Sequence, residues 1–166
     1  VTAANALAAL TTGVVTATLT TGGLASFGGL AETGNAYTVT LNDAADAVLA
    51  ATDLSTLGGK TTGVVTVSNA VTITGDAAQV TAALVTADTL VVAGTAKVTV
   101  TGTIGVAEVN AIAAKTTGVV TATISTNGAT ALVAGLLDAT ENAYTIAVTG
   151  TATAAELNTI NSKTSV

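Results

Sequence analysis

The chain has no cysteine, proline, methionine, tryptophan, histidine or arginine, and its only aromatic residues are Phe27, Tyr37 and Tyr144. Without cysteine, disulfides and thiolate metal sites are excluded, and the compartment is left open. Without histidine as well, nucleophile–histidine triads and most transition-metal sites are excluded. Only 8% of the residues are charged, against about 25% in an average domain. Four lysines face ten carboxylates, for a net charge of −6, so there is no basic patch to bind nucleic acid. An exposed aromatic cluster for stacking on sugars is also missing. Thr, Gly, Asn and Asp interrupt every apolar stretch before it reaches about 18 residues, so no membrane span is expected. No initiator methionine or charged-then-apolar leader opens the chain, which reads as a mature product or an excised fragment.

What remains is alanine, threonine, valine and glycine. Apolar residues make up 49% of the 166 positions, enough to bury surface and fold despite the low charge. The residues are small, which suits thin, closely approaching layers. Self-similarity is the strongest signal. Thr-Thr-Gly-Val-Val-Thr occurs at 11–16, 61–66 and 116–121. Each copy follows an Ala/Leu- or Ala/Ile-rich segment, and a further such segment runs from Ala154 to Val166. Asn-Ala-Tyr-Thr recurs at 35–38 and 142–145, between copies of the first string. The period is read as units at 1–49, 50–104 and 105–153 plus a partial unit at 154–166, each of two helix–strand half-units in one continuous array.

Helical halves are expected at Ala3–Leu10, Ala50–Gly58, Ala107–Lys115 and Ala154–Lys163. Leu7/Leu10, Val80/Leu84, Val109/Ile112 and Leu157/Ile160 recur at three- or four-residue spacing, one narrow apolar stripe per short helix. Asp76-x-x-Gln79 and Thr153-x-x-Glu156 have the form of a capping box. Gly13, Gly63 and Gly118 fall where a helix end often needs positive φ. The strand halves alternate with period two, for example Val15/Ala17/Leu19 against Thr16/Thr18/Thr20 and Val120/Ala122/Ile124 against Thr121/Thr123. Helix–strand alternation with short connections predicts an α/β fold: a repeat solenoid of short helix–strand coils with one parallel β-sheet. A β-solenoid or β-helix is the alternative.

Two residue sets are candidates for function. Thr16, Thr18, Thr38, Thr40, Thr72, Thr74, Thr99, Thr101, Thr121 and Thr123 are expected on the outer strand face, opposite the inward tyrosines. Their hydroxyl-and-methyl rows resemble the ice-binding faces of β-solenoid antifreeze proteins, although threonine also favours exposed strands for its shape alone. Leu7, Leu10, Leu157, Ile160 and Val166 lie near the open ends of the array and are candidates for end-to-end contact. Lys60, Lys115 and Lys163 recur before Thr-Thr or Thr-Ser and read as helix-end cations. Asp43, Asp46, Asp76, Glu108 and Glu156 read as helix starters. Calcium is the alternative for them, but both the Gly/Asp nonapeptide and the EF-hand loop are missing. Asn35 and Asn142 read as turn residues. No catalytic constellation and no cofactor are expected.

The strings Ala154-Ala-Glu-Leu-Asn-x-Ile-x-x-Lys-Thr164, Thr117-Gly-Val-Val-Thr-Ala-Thr-Ile124 and Asn142-Ala-Tyr-Thr145 resemble a known class of repeats. These are tandem repeats of very large secreted or cell-surface, RTX-adhesin-like proteins of cyanobacteria and other Gram-negative bacteria. The resemblance is carried by residues 106–124, 142–149 and 152–166. It implies an extracellular or cell-surface location and a structural or adhesive task, and it supplies no catalytic residue. The expected function is therefore a non-catalytic structural protein that partners itself, head to tail or laterally, as a filament or surface-layer unit. The alternatives are a stalk segment that partners flanking repeats of a large adhesin, and an ice binder.

Overall fold

The computed structural model describes residues 1–31, 33–137 and 141–166. In chain order the elements are α1 (Thr2–Ala8), β1 (Thr16–Thr18), a 3-10 turn (Leu24–Phe27), β2 (Ala36–Leu41), β3 (Val48–Ala50), α2 (Ala51–Gly58), β4 (Val65–Val67) and β5 (Thr72–Asp76). There follow α3 (Ala77–Leu84), a second 3-10 turn (Ala87–Thr89), β6 (Val91–Val92), β7 (Lys97–Ile104), α4 (Val106–Ala113), β8 (Val120–Gly128), α5 (Ala129–Gly135), β9 (Ala143–Thr149) and α6 (Ala154–Asn161). The fold is α/β, and every strand pairing among the described residues is parallel. The expected helices and Thr/Val strands are present.

The single sheet expected from sequence is instead two, ordered β1-β2-β4-β6 and β3-β5-β7-β8-β9. The chain turns between β2 and β3, where Asp46 adopts φ 62, and again between β4 and β5. Period-two patterning resumes on each side of these turns, so the alternation does not mark where one sheet ends and the next begins. Short strands β3, β4 and β6, unassigned from the pattern, come from this division. It also moves Asp43 and Asp46 away from a helix start. Asp43 accepts Leu24 N–H at 2.9 Å, and Asp46 pairs with Lys97 at 2.7 Å on the surface.

The strands turn Tyr37, Val39, Leu41, Val65, Val67, Ile73, Val98, Val120, Ile124 and Tyr144 into the core, where helix residues Leu54, Leu57, Val80, Leu84, Val109, Ile112 and Leu132 meet them. Helices of seven or eight residues are too short to persist alone in water. Burial holds them. Leu54 and Leu57 on α2 together contribute about 3–6 kcal/mol, more than the roughly 1 kcal/mol of a cap. Both expected capping boxes form. Gln79 N–H donates to Asp76 Oδ1 and Asp76 N–H to Gln79 Oε1, each at 2.9 Å. Thr153 and Glu156 reciprocate on α6. On α4 only half a box exists: Gly105 N–H donates to Glu108 Oε2 at 3.1 Å, and glycine has no side chain to return the bond. The apolar stripes of α3 and α4 are buried, whereas Leu7, Leu10 and Leu157 are exposed.

Gly13, Gly63 and Gly118 do not have the expected positive φ, which falls at Gly34, Gly102 and Gly150 among the glycines. Gly63 and Gly118 answer a different demand. A Cβ at Gly63 would sit 2.3 Å from the Tyr37 carbonyl oxygen, and one at Gly118 2.2 Å from that of Ala96. The absent side chain lets one segment lie directly on the backbone of the segment before it.

The inward tyrosines carry a cost. Tyr37 is 1% exposed, and its hydroxyl is buried without a hydrogen-bond partner among the described residues. Burial also pushes the Tyr144 phenol above its ordinary pKa, opposed in part by Asn142. The Tyr144 hydroxyl is likewise buried without a well-formed partner among the described residues. An orphaned buried hydroxyl costs about 1–3 kcal/mol. Tyr37→Phe is therefore expected to raise Tm by at least about 2 °C. An unchanged or lower Tm in calorimetry would mean that the hydroxyl is solvated internally.

Candidate functional site

At three of its four positions the recurring Thr-Thr or Thr-Ser string places a buried or half-buried hydroxyl against the neighbouring strand. Thr61 Oγ1 accepts N–H bonds from Tyr37 at 2.7 Å and from its own Gly63 at 2.9 Å, and donates toward the Tyr37 carbonyl at 2.8 Å. Thr116 Oγ1 donates to the Ala96 carbonyl at 2.5 Å and accepts Gly118 N–H at 3.0 Å. Thr164 Oγ1 accepts Tyr144 N–H at 2.8 Å. Thr11, the remaining member of the series, accepts Gly13 N–H at 3.0 Å and has no earlier strand beside it. These hydroxyls stand in for ladder partners just before each strand begins.

Asn35 and Asn142 work from the other side. Asn35 Oδ1 accepts Val15 N–H at 2.8 Å, as Asn142 does for Val120. They are strand linkers as well as loop residues. Lys60 and Lys163 reach the segment before them and not their own helix ends, and Lys115 makes no side-chain hydrogen bond among the described residues. Lys60 Nζ donates to the Ala31 carbonyl at 3.4 Å, and Lys163 Nζ to the Leu136 carbonyl.

The candidate threonine face is split. Thr16, Thr18, Thr38 and Thr40 lie on the four-stranded sheet; Thr72, Thr74, Thr99, Thr101, Thr121 and Thr123 lie on the five-stranded one. In the second sheet Thr74, Thr99 and Thr121 are aligned, but the row ends in Ala50 and Ala143. A bulge in β7 then shifts the register, so Thr123 stands opposite Thr103 and Thr145. Thr101 stands opposite Asp76. In the first sheet Thr40 and Thr66 are followed by Val92. Thr40, Thr72, Thr74 and Thr99 are half-buried. The single broad array expected from sequence becomes several short rows on two surfaces.

Of the candidate end contacts, Leu10 is 84% exposed, Val166 71%, Leu7 53% and Leu157 46%. Ile160 is excluded from that set, because at 5% exposure it belongs to the core. Sequence reasoning missed Val48 and Val92, exposed apolar residues on the edge strands β3 and β6. Their strands are two or three residues long, too short to show a period.

A cleft of about 450 Å³ lies between the Leu24–Leu30 segment and β3–α2. Its apolar walls include Phe27, Leu30, Leu49 and Leu57, with Asp43, Asp53 and Lys60 at its polar margin. Asp43 is occupied with Leu24 N–H and Lys60 with Ala31, and no nucleophile–base pair is assembled there. Among the described residues no group of three or more acidic side chains stands close enough to hold a metal ion, and no helix is long and apolar enough to cross a membrane. No family model, curated protein or solved structure matches the chain.

Proposed function

We propose that the chain is a non-catalytic structural unit, a parallel α/β solenoid that joins to others through its open ends in an extracellular or cell-surface filament or matrix. The observation that carries this reading is the state of the sheet edges. The edge strands toward the two ends of the stack are β1 in the four-stranded sheet and β9 in the five-stranded one. Such edges present unpaired backbone groups that another chain can pair. Apolar side chains left in water accompany the two ends: Leu7 at 53% and Leu10 at 84% exposure before β1, and Leu157 at 46% and Val166 at 71% after β9. In both sheets strand order follows chain order, as in a stack that grows by adding turns. The low charge density offers little repulsion to association.

The runner-up is a stalk segment of a large RTX-adhesin-like surface protein, in which flanking repeats of the same chain cover the ends. It is favoured by Thr164 and Ser165, which grip the Asn142–Tyr144 segment as Thr61 and Thr62 grip Asn35–Tyr37. The ice-binding reading loses support, because lattice matching needs one flat array and the threonines lie in short rows on two sheets.

Negative-stain electron microscopy over a concentration series, with and without calcium, tests the proposal. Long unbranched filaments are expected. Discrete short rods at every concentration would sink end-to-end assembly and leave the stalk reading.

A further inference from the structure

We propose that the junction is polar: α6 of one copy docks on α1 of a second copy, and Asn158 is the clamp that sets their register. This rests on the end-to-end reading and specifies its contact.

Five helices share one pattern: Ala4-Asn5-x-Leu7, Leu54-Ser55-x-Leu57, Val80-Thr81-x-Ala83, Val109-Asn110-x-Ile112 and Leu157-Asn158-x-Ile160. The fourth position is buried at Leu57, Ala83 and Ile112, and also at Ile160 on the final helix, but Leu7 on the first helix is 53% exposed. Its cover therefore comes from the preceding segment. The first position behaves in the opposite way. Leu54, Val80 and Val109 are 0% exposed, whereas Leu157 on the final helix is 46% exposed. Its cover comes from the following segment. The two ends thus expose opposite halves of one recurring contact, which is why a second copy fits better than an unrelated partner.

The second position adds directionality. Asn5 Nδ2 donates to the Gly29 carbonyl at 2.8 Å, and its Oδ1 accepts Ala31 N–H at 3.2 Å. Asn110 Nδ2 donates to the Gly135 carbonyl at 2.8 Å, and its Oδ1 accepts Leu137 N–H at 3.2 Å. Both asparagines hold a carbonyl and the N–H two residues on, in the next segment of chain. For Asn110 these groups lie at the end of α5. Asn158 occupies the same helix position, is exposed, and makes no side-chain hydrogen bond among the described residues.

The matching groups at the end of α1 are the Ala8 carbonyl and Leu10 N–H. Within the chain they hold only the bonds of a final turn, Thr11 N–H to Ala8 O at 3.2 Å and Leu10 N–H to Leu7 O at 3.1 Å. The carbonyl keeps a second lone pair for Asn158 Nδ2, and the N–H is shared with its Oδ1 as a three-centre bond. Leu157 and Leu7 then cover one another. A contact of this heterologous kind repeats from copy to copy and makes filaments or rings.

Sedimentation velocity on the full chain tests it, with circular dichroism confirming that each variant is folded. The wild type should associate. Asn158→Ala should weaken association about tenfold, the equivalent of about 1.4 kcal/mol, while Asn161→Ala on the same helix leaves it unchanged. Leu7→Lys and Leu157→Lys should each stay monomeric alone and form a discrete dimer when mixed, since each retains the end the other lacks. A wild type that stays monomeric overturns both this contact and the assembly reading. Association insensitive to Asn158→Ala overturns the clamp alone, and a mixture that stays monomeric overturns the head-to-tail polarity.

Discussion

Gly118→Ala is expected to destabilise the fold by at least about 3 kcal/mol, a large share of the roughly 5–15 kcal/mol that holds a domain of this kind. The added Cβ would lie 2.2 Å from the Ala96 carbonyl oxygen and 2.6 Å from its carbon. Both are backbone atoms, so no rotamer change relieves the clash, and the segment must lift away from its neighbour. Lifting it strains the Thr116 hydroxyl bond to Ala96 and the Thr117 N–H bond to Gly94. Gly63→Ala repeats the effect against Tyr37, at 2.3 Å. Gly94→Ala is the control, because a Cβ there would meet nothing within 4 Å. It should be neutral or stabilising by up to about 1 kcal/mol, by restricting the unfolded chain. Urea denaturation of the three variants decides the matter. Equal midpoints for Gly118→Ala and Gly94→Ala would remove close approach as the reason for these glycines.

Thr61→Val is expected to cost about 2–5 kcal/mol, although the two side chains have nearly the same shape. Thr61 is 7% exposed, and its hydroxyl accepts from Tyr37 N–H and Gly63 N–H. Valine fills the space and leaves the Tyr37 N–H buried and the Gly63 N–H half-buried without a partner, at about 1–3 kcal/mol for the first and less for the second. Thr61→Ser keeps the hydroxyl and gives up one methyl, for about 1 kcal/mol. The ordering Thr, Ser, Val in urea midpoint is the signature of a hydrogen-bond role. Serine falling below valine would show that Thr61 acts by packing. Thr164→Val should cost less, because Thr164 is half-buried and near an end where water can reach the freed N–H.

The role of threonine in this chain was only partly legible in its composition. Exposed strand threonines and the gripping threonines at 61, 116 and 164 have the same residue type, and only the neighbouring backbone separates them. At 61 and 116 the Thr-Thr-Gly string accompanies the grip, the hydroxyl binding the N–H of a glycine that lies on the backbone beside it. Thr164 lacks that glycine and Thr11 has it with no strand to grip, so the spacing alone does not separate the two kinds. The same holds for the asparagines. Asn35 and Asn142 suit turns by type, but their amide oxygens complete the start of an adjacent strand.

The sequence by itself determined the α/β class, five of the six helix positions, two capping boxes and the inward tyrosines, because all of these depend on near neighbours: a 3.6 or 2.0 period, a residue three positions on, an apolar face. Tertiary structure alone decided the rest. It split the strands between two sheets, because a turn preserves the alternation on either side of it. It decided which copies of one helix pattern are buried and which stand in water, because Ile160 and Leu7 differ only in what lies before them. Cover is a property of the neighbouring segment, and a residue's own sequence context does not contain it.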